Sequence, residues 1–270
     1  MNGDIQPSVI EQIKEIWTLC FGDERETVDY FFKTCFSSEN CYVKIIDNKA
    51  VASLQMIPCK IIDKEKVYEA KYIYAVCTHP SYQGRGIMSE LINEAFEEEK
   101  LKGTKAVLCI PASESLFSYY KRFGFEDKIY NSREIFKRKD IEKIYSECSY
   151  FLNKSVTEIK QLRDELLISS SYVSFPEAYL NLCSEFGYNY CYNSNFYALF
   201  SVEENTVNAV DCFWKNEQGK KEMLYSLLNE TDADKFIIEY FGKDKLKGVI
   251  KYLNPDFKIN SPIYLGIEME

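Results

Sequence analysis

The sequence is short of the residues that build metal centres. It has one histidine, His79, and none of its ten cysteines stands in a C-x-x-C pair, so a zinc site is not expected and no metal is assigned. The cysteines sit mostly in apolar runs such as CYVKII and AVLCIP, where a thiol behaves as a small hydrophobe. No apolar run is long enough to span a bilayer, and no basic-then-apolar leader opens the chain. A reducing cytoplasm and no membrane partner are expected. Positive charge is short too: 33 Lys and Arg against 42 Asp and Glu leave a net charge of −9. That balance speaks against nucleic acid and is compatible with a cationic amine ligand.

What is present is material for a core. With 270 residues, 46% hydrophobic and 28% charged, the composition is that of an ordinary soluble globular protein, and the length suggests two packed units. The aromatic share of 15% suits thick aromatic cores better than a substrate cleft.

Along the chain, Ser8-Val9-Ile10-Glu11 has the pattern of a capping box opening a helix, and Asp23 to Glu26 repeats it before a second helix. CYVKIID and AVASLQMIP, joined by Asn48-Lys49, read as a β-hairpin. A polar turn at Asp63 to Lys66 leads into a long strand ending near Thr78. A helix over about 85–101, the strand TKAVLCI, a short helix from Ser113 and a strand near 127–136 follow. The scheme is a mixed α/β (α+β) sheet with helices on its faces. Residues 141–158 read as a connecting helical segment. Beyond them come helices opened by Ser155 and by Phe175-Pro176-Glu177, then the strands GYNYCY, NFYALFSV and TVNAVDCFW. A helix near 217–228, the strand DKFIIEY, a helix near 243–252 and a last strand PIYLGIEM complete the order. The second half repeats the element order of the first with little sequence likeness. The expected division is 1–140 and 141–270.

The chemistry concentrates between Tyr72 and Leu91. Gln83-Gly84-Arg85-Gly86-Ile87-Met88-Ser89 follows a strand and opens a helix. Two residues without Cβ let an anion approach the backbone, and the free N–H groups and dipole of a helix start attract it. Arg85 adds a full charge. The pattern is neither the Rossmann fingerprint nor a P-loop, since it lacks a third glycine in register and a Gly-Lys-Ser/Thr.

AVCTHPSYQGRGIMSELI closely resembles the acetyl-CoA-binding core of the GCN5-related N-acetyltransferases, and LFSYYKRFGFE resembles that family's late helix, with Tyr120 four residues before Gly124-Phe125. The two motifs together cover residues 40 to 136. The resemblance implies the acyl-CoA N-acyltransferase fold and acetyl-CoA as co-substrate. Val76, Cys77 and Thr78 would offer backbone groups to the pantetheine arm. Gln83, Gly84, Arg85, Gly86, Ile87 and Met88 would hold the diphosphate, with Ser89 a further donor. Tyr120 would protonate the departing thiolate, a role for which a phenol is suited by its ordinary pKa of about 10; Tyr119 is its rival. Met88 departs from the family, which prefers Gly or Ala there.

The general base does not carry over. The strand Glu of histone-type members falls at Tyr72 here, leaving Glu69 and His79 as neighbours. The duplicated layout also resembles the two-unit acetyltransferases of the enhanced-intracellular-survival type, in which a terminal carboxylate serves as base; Glu270 is the corresponding candidate. The second half has KNEQGKKEML where the glycine turn would fall, so a degenerate copy that walls the acceptor cleft is expected. Tyr188, Tyr190, Tyr192 and Trp214 would lie near that cleft or simply fill a core. The function implied is transfer of an acetyl group from acetyl-CoA to a primary amine of a small molecule or peptide, by direct attack in a ternary complex. The alternative is an acyl-CoA-binding module without turnover, regulatory or scaffolding. Monomer and homo-oligomer both stay open.

Overall fold

Helix α1 (Pro7–Phe21) starts one residue before the Ser8 box. Pro7 occupies the first helical position and no side chain caps the end; proline lacks the N–H that would otherwise go unpaired there. Helix α2 (Arg25–Thr34) likewise has no side-chain cap, because Asp23 is engaged elsewhere, accepting the Trp17 indole N–H at 2.6 Å. The hairpin of β1 (Cys41–Ile46) and β2 (Lys49–Asp63) turns on Asp47 and Asn48, both at positive φ, as a tight two-residue loop requires. Then come β3 (Lys66–Thr78), α3 (Ile87–Leu101), β4 (Ala106–Cys109), α4 (Glu114–Lys121) and β5 (Glu126–Lys137). The remaining order is α5 (Arg138–Ile141), β6 (Phe151–Leu152), α6 (Val156–Leu167), β7 (Ser171–Ser174), α7 (Glu177–Glu185), β8 (Asn189–Asn193), β9 (Phe196–Glu203), β10 (Thr206–Trp214), α8 (Glu217–Glu230), β11 (Lys235–Phe241) and β12 (Lys245–Tyr252).

The computed structural model describes residues 5–144, 148–153 and 155–267. They form two compact units, each assembled from separate stretches of chain. The first takes the residues up to Lys60, Tyr68–Glu126 and Val249–Lys258. The second takes Ile61–Val67, Asp127–Gly248 and the residues from Ile259 on.

In the first unit the sheet runs β1-β2-β3-β4 and continues into β12, which arrives from the far end of the chain. Strand β4 is parallel to β3 and antiparallel to β12, with Val249 opposite Cys109 and Tyr252 opposite Ala106. Helix α3 presents Ile87, Leu91, Ile92, Ala95 and Phe96 to this sheet. Each such side chain contributes roughly 1.5–3 kcal/mol by leaving water. In the second unit the order is β5-β11-β10-β9-β8-β6; β11 is parallel to β10 and antiparallel to β5. Each sheet thus takes its antiparallel neighbour of the late strand from the other half of the sequence.

Three expectations give way here. The segment read as a helix near 243–252 is the strand β12. PIYLGIEM forms no strand in its described part, making only single bridges from Ile263 to Ile129 and from Tyr264 to Tyr172. Among its described residues the connecting segment is helical only at α5 and from Val156 on, with β6 between. The Ser155 cap is present, its hydroxyl accepting the Glu158 N–H at 3.4 Å.

The far end of α3 is fixed by a buried carboxylate. Glu99 is fully buried and accepts from Thr104 Oγ1 at 2.7 Å, Lys102 Nζ at 2.9 Å and the Tyr42 hydroxyl at 2.9 Å, with Lys71 Nζ at 3.7 Å. Burial pushes its carboxyl up, but Thr104, Lys102, Lys71 and Tyr42 prevail and hold it below its ordinary value. Its stabilising effect is therefore complete above the ordinary carboxylate pKa and is lost as the pH falls through the lower folded value. Glu99→Gln should cost about 1.5–3 kcal/mol at pH 7. In thermal melts the gap to wild type should narrow toward pH 3; a gap that stays constant with pH would count against this account.

Candidate functional site

Strand β3 carries the site because it parts from its neighbour. The β3–β4 ladder runs from Ala70 opposite Ala106 to Tyr72 opposite Leu108 and stops there, while β4 continues its pairing with β12 through Cys109. Among the described residues, the β3–β4 ladder does not extend past Tyr72 to the stretch that holds Val76, Cys77 and Thr78. Within it Ala75 adopts φ +47°, a left-handed conformation uncommon for a residue with a side chain. It breaks the even alternation of the strand, as bulges beside functional sites do.

That stretch leads on to the glycine turn. His79 caps a single 3-10 turn at Pro80–Tyr82, its Nδ1 accepting the Ser81 N–H at 3.2 Å. That employs the imidazole structurally. Gln83 donates from Nε2 to the Thr78 carbonyl at 3.0 Å. Gly84 and Gly86 have φ of +73° and +81°, and a Cβ placed on either would find nothing within 4 Å. The space in front of the turn is open. Helix α3 starts at Ile87 with no side-chain cap on Gly86, and the first bond into it is Glu90 N–H to Gly86 O at 3.1 Å. The N–H groups of Ile87, Met88 and Ser89 therefore precede the helical ladder. Arg85 folds back, donating to Ser81 O at 2.8 Å, its guanidinium 5.1 Å from the Tyr82 ring centre, and leaves its charge at the turn. Met88 is half-buried and packs against the core of the first unit, so its bulk is drawn toward the helix–sheet interface. This cradle fits a diphosphate: open space, free N–H donors, a helix start and one cation.

Helix α4 places Tyr120 in the same core as Ile87, Leu91 and Cys109. Tyr120 is buried, with its ring 5.3 Å from that of Phe125. Burial raises its hydroxyl well above the usual phenol value, reinforced by the Cys109 thiol, which it meets at the end of β4, and by Tyr119 and Tyr72. Tyr119 is half-buried at the margin of the same core, with its ring against Tyr120, Phe123 and Arg122. No carboxylate or imidazole figures among the groups acting on Tyr120. Glu69 lies before the ladder ends and pairs with Lys60 at 3.7 Å, both exposed. Glu270 lies outside the described residues.

Residues 4–127 match the family model of the acetyltransferase (GNAT) domain. This segment is a GNAT domain. Over 72 residues, 26% of the chain, the sequence is 35% identical to an uncharacterized N-acetyltransferase of Methanocaldococcus jannaschii, and the match spans 32% of that relative's length. A GCN5-related N-acetyltransferase from Anabaena variabilis covers 93% of this chain with 72% of its own, at a TM-score of 0.76 and 15% identity. Eis1 from Mycobacterium abscessus does so with 73% of its own chain, at 0.69 and 10%. At such identities the likeness is one of fold. It extends past the GNAT domain, over 93% of this chain.

The strand-to-helix turn of the second unit is built differently. There the β10–β11 ladder does not end: it pairs Thr206 to Ala209, shifts register, and pairs again at Cys212 opposite Tyr240. The start of α8 is closed by its own residues. Asn216 Oδ1 accepts the Gly219 N–H at 3.0 Å, and a Cβ on Gly219 would come within 2.6 Å of Asn195 O. Tyr190 and Tyr192 are buried; the Tyr190 hydroxyl donates to Leu180 O at 2.7 Å and Tyr192 to Glu158 at 3.3 Å. Trp214 lies against Tyr240 with ring centres 4.8 Å apart. These aromatics fill the second unit's own core. Among the described residues, no helix is long and apolar enough to cross a membrane and no cluster of His, Cys, Asp and Glu is placed to hold a metal.

Proposed function

We propose that the protein transfers an acetyl group from acetyl-CoA to a primary amine of a small-molecule or peptide acceptor, by direct attack in a ternary complex. The observation that carries this reading is the end of the β3–β4 ladder at Tyr72, after which β3 leads through one 3-10 turn into the open, N–H-lined turn at Gly84 and Gly86. An extended pantetheine arm pairs with β3 beyond that point as an added strand would, and its diphosphate falls on the helix start. GNAT membership of residues 4–127 supports acyl transfer. Holding amine and thioester together supplies most of the rate, since effective molarities of oriented groups reach about 10⁵–10⁸ M. Backbone N–H groups at the parted strand polarise the thioester carbonyl. Tyr120 donates its proton toward the departing sulfur, and its raised pKa keeps it protonated through the neutral range.

Thiol release from acetyl-CoA, followed against polyamines, aminoglycosides and N-terminal peptides, tests the reading. At least one amine class should stimulate release and gain an acetyl group by mass. Tight CoA binding with no stimulated release by any class would instead make the protein a binding module.

A further inference from the structure

We infer that Cys20 and Cys77 form a thiol pair that peroxide oxidises to a disulfide, and that this bond governs the acyl-CoA edge of β3. The two residues come from distant parts of the sequence, the last turn of α1 and the end of β3, and both lie in one small core of the first unit with Ile13, Ile16, Cys41 and Ala50. Cys20 Sγ reaches the backbone next to Cys77 in that core, and each thiol shifts the other's titration. Cys20 Sγ is also 3.3 Å from Thr78 O, and Cys77 Sγ is 3.3 Å from Ser53 Oγ. Cys20 is half-buried and Cys77 buried, so one thiol is reachable from solvent and the other waits behind it.

The pair differs chemically from its neighbours. The neighbouring Cys77 thiol lowers the Cys20 thiol to about 7 against the pull of burial, whereas burial pushes the thiols of Cys35, Cys41, Cys59 and Cys109 up. The Cys20 thiolate is thus the favoured nucleophile. It attacks a peroxide oxygen; the O–O bond breaks, hydroxide leaves and takes a proton, and Cys20 becomes a sulfenic acid. Cys77 sulfur then attacks the Cys20 sulfur, the S–O bond breaks, and the departing hydroxide takes the Cys77 proton. Two thiols and one hydrogen peroxide yield one disulfide and two waters.

The bond has a consequence at the site. It fixes the sulfurs at about 2.05 Å and removes the Cys20 thiol from Thr78 O, the carbonyl that also holds Gln83. The end of β3 and the start of the turn shift together. The consequence for CoA rests on the proposed reading of Val76, Cys77 and Thr78 as the pantetheine edge.

The experiment treats the full chain with hydrogen peroxide, maps linkages by mass spectrometry after alkylation under denaturing conditions, and titrates CoA before and after. A Cys20–Cys77 peptide should form first, CoA affinity should fall about tenfold or more, and dithiothreitol should restore it. Cys20→Ser keeps a donor toward Thr78 O and should bind CoA as wild type does but be insensitive to peroxide. Another linkage, or a terminal sulfinic acid on Cys20, overturns the pair. Full CoA affinity in the mapped disulfide form overturns its control of the site. Absence of CoA binding by untreated protein overturns the acyl-CoA reading instead, and the linkage map still decides the pair.

Discussion

Tyr120→Phe is expected to lower amine-stimulated thiol release from acetyl-CoA by a factor of about 10² to 10⁴, the range associated with loss of a positioned acid. Affinity for CoA should stay nearly unchanged. The substitution removes one oxygen and leaves the ring in place against Phe125, 5.3 Å away. The partner left behind is the Cys109 thiol, a weak hydrogen-bonding group whose loss of contact costs little. A fall in kcat with KM preserved marks an interaction made in the transition state rather than in binding. The pH profile adds a second readout. Because burial and Cys109 hold the Tyr120 hydroxyl well above the ordinary phenol value, this acid stays protonated as pH rises, and wild-type turnover should show no loss from it up to about pH 10. Tyr119→Phe, on the neighbouring half-buried ring, should leave release close to wild type. If the two variants exchange behaviour, Tyr119 is the acid; if neither changes turnover, protonation of the thiolate comes from elsewhere.

The strand, glycine turn and helix start were legible because their causes are local. An apolar run, a proline, two glycines and an amphipathic helix lie within twenty residues, and each fixes its own backbone. The spacing from Tyr120 to Gly124-Phe125 was legible for the same reason. What escaped was decided by contacts distant in sequence. Leu246, Val249, Ile250 and Leu253 recur at helical spacing, and nothing inside the segment contradicts a helix. Val249 to Tyr252 form a strand because the open side of β4, itself buried at every position, offers a ladder to complete. The opposite error has the same origin: PIYLGIEM is strand-like in composition, but only Ile263 and Tyr264 find bridges, and Tyr264 spends its hydroxyl on the Cys212 N–H at 3.1 Å. Likewise Ala75 carries no glycine-like warning of its positive φ, and the meeting of Cys20 with Cys77 needs the packing of α1 against β3. The role of Met88 was open in sequence for a related reason, since only the neighbouring core shows which way its side chain is drawn.

Gly86→Val should weaken CoA binding by about 10² to 10⁴ without unfolding the protein. Gly86 sits at φ +81° and ψ −4° at the cap of α3, a conformation that costs an L residue roughly 1–2 kcal/mol, which lowers the melting temperature but leaves a domain of this size folded. The added side chain meets no protein atom nearby, since even its Cβ finds nothing within 4 Å. It therefore enters the open space before the N–H groups of Ile87, Met88 and Ser89. An anion kept from two such donors forfeits about 1.5–3 kcal/mol for each, which accounts for the expected factor. Gly86→Ala bears the backbone cost with less intrusion and should fall between wild type and Val. Pantetheine supplies the control that separates seat from edge: it has no diphosphate, so its weak binding along β3 should be the same in wild type and Gly86→Val. Equal loss of both ligands would show that the substitution had deformed the strand. Equal CoA affinity in all three proteins would move the phosphate seat away from this turn.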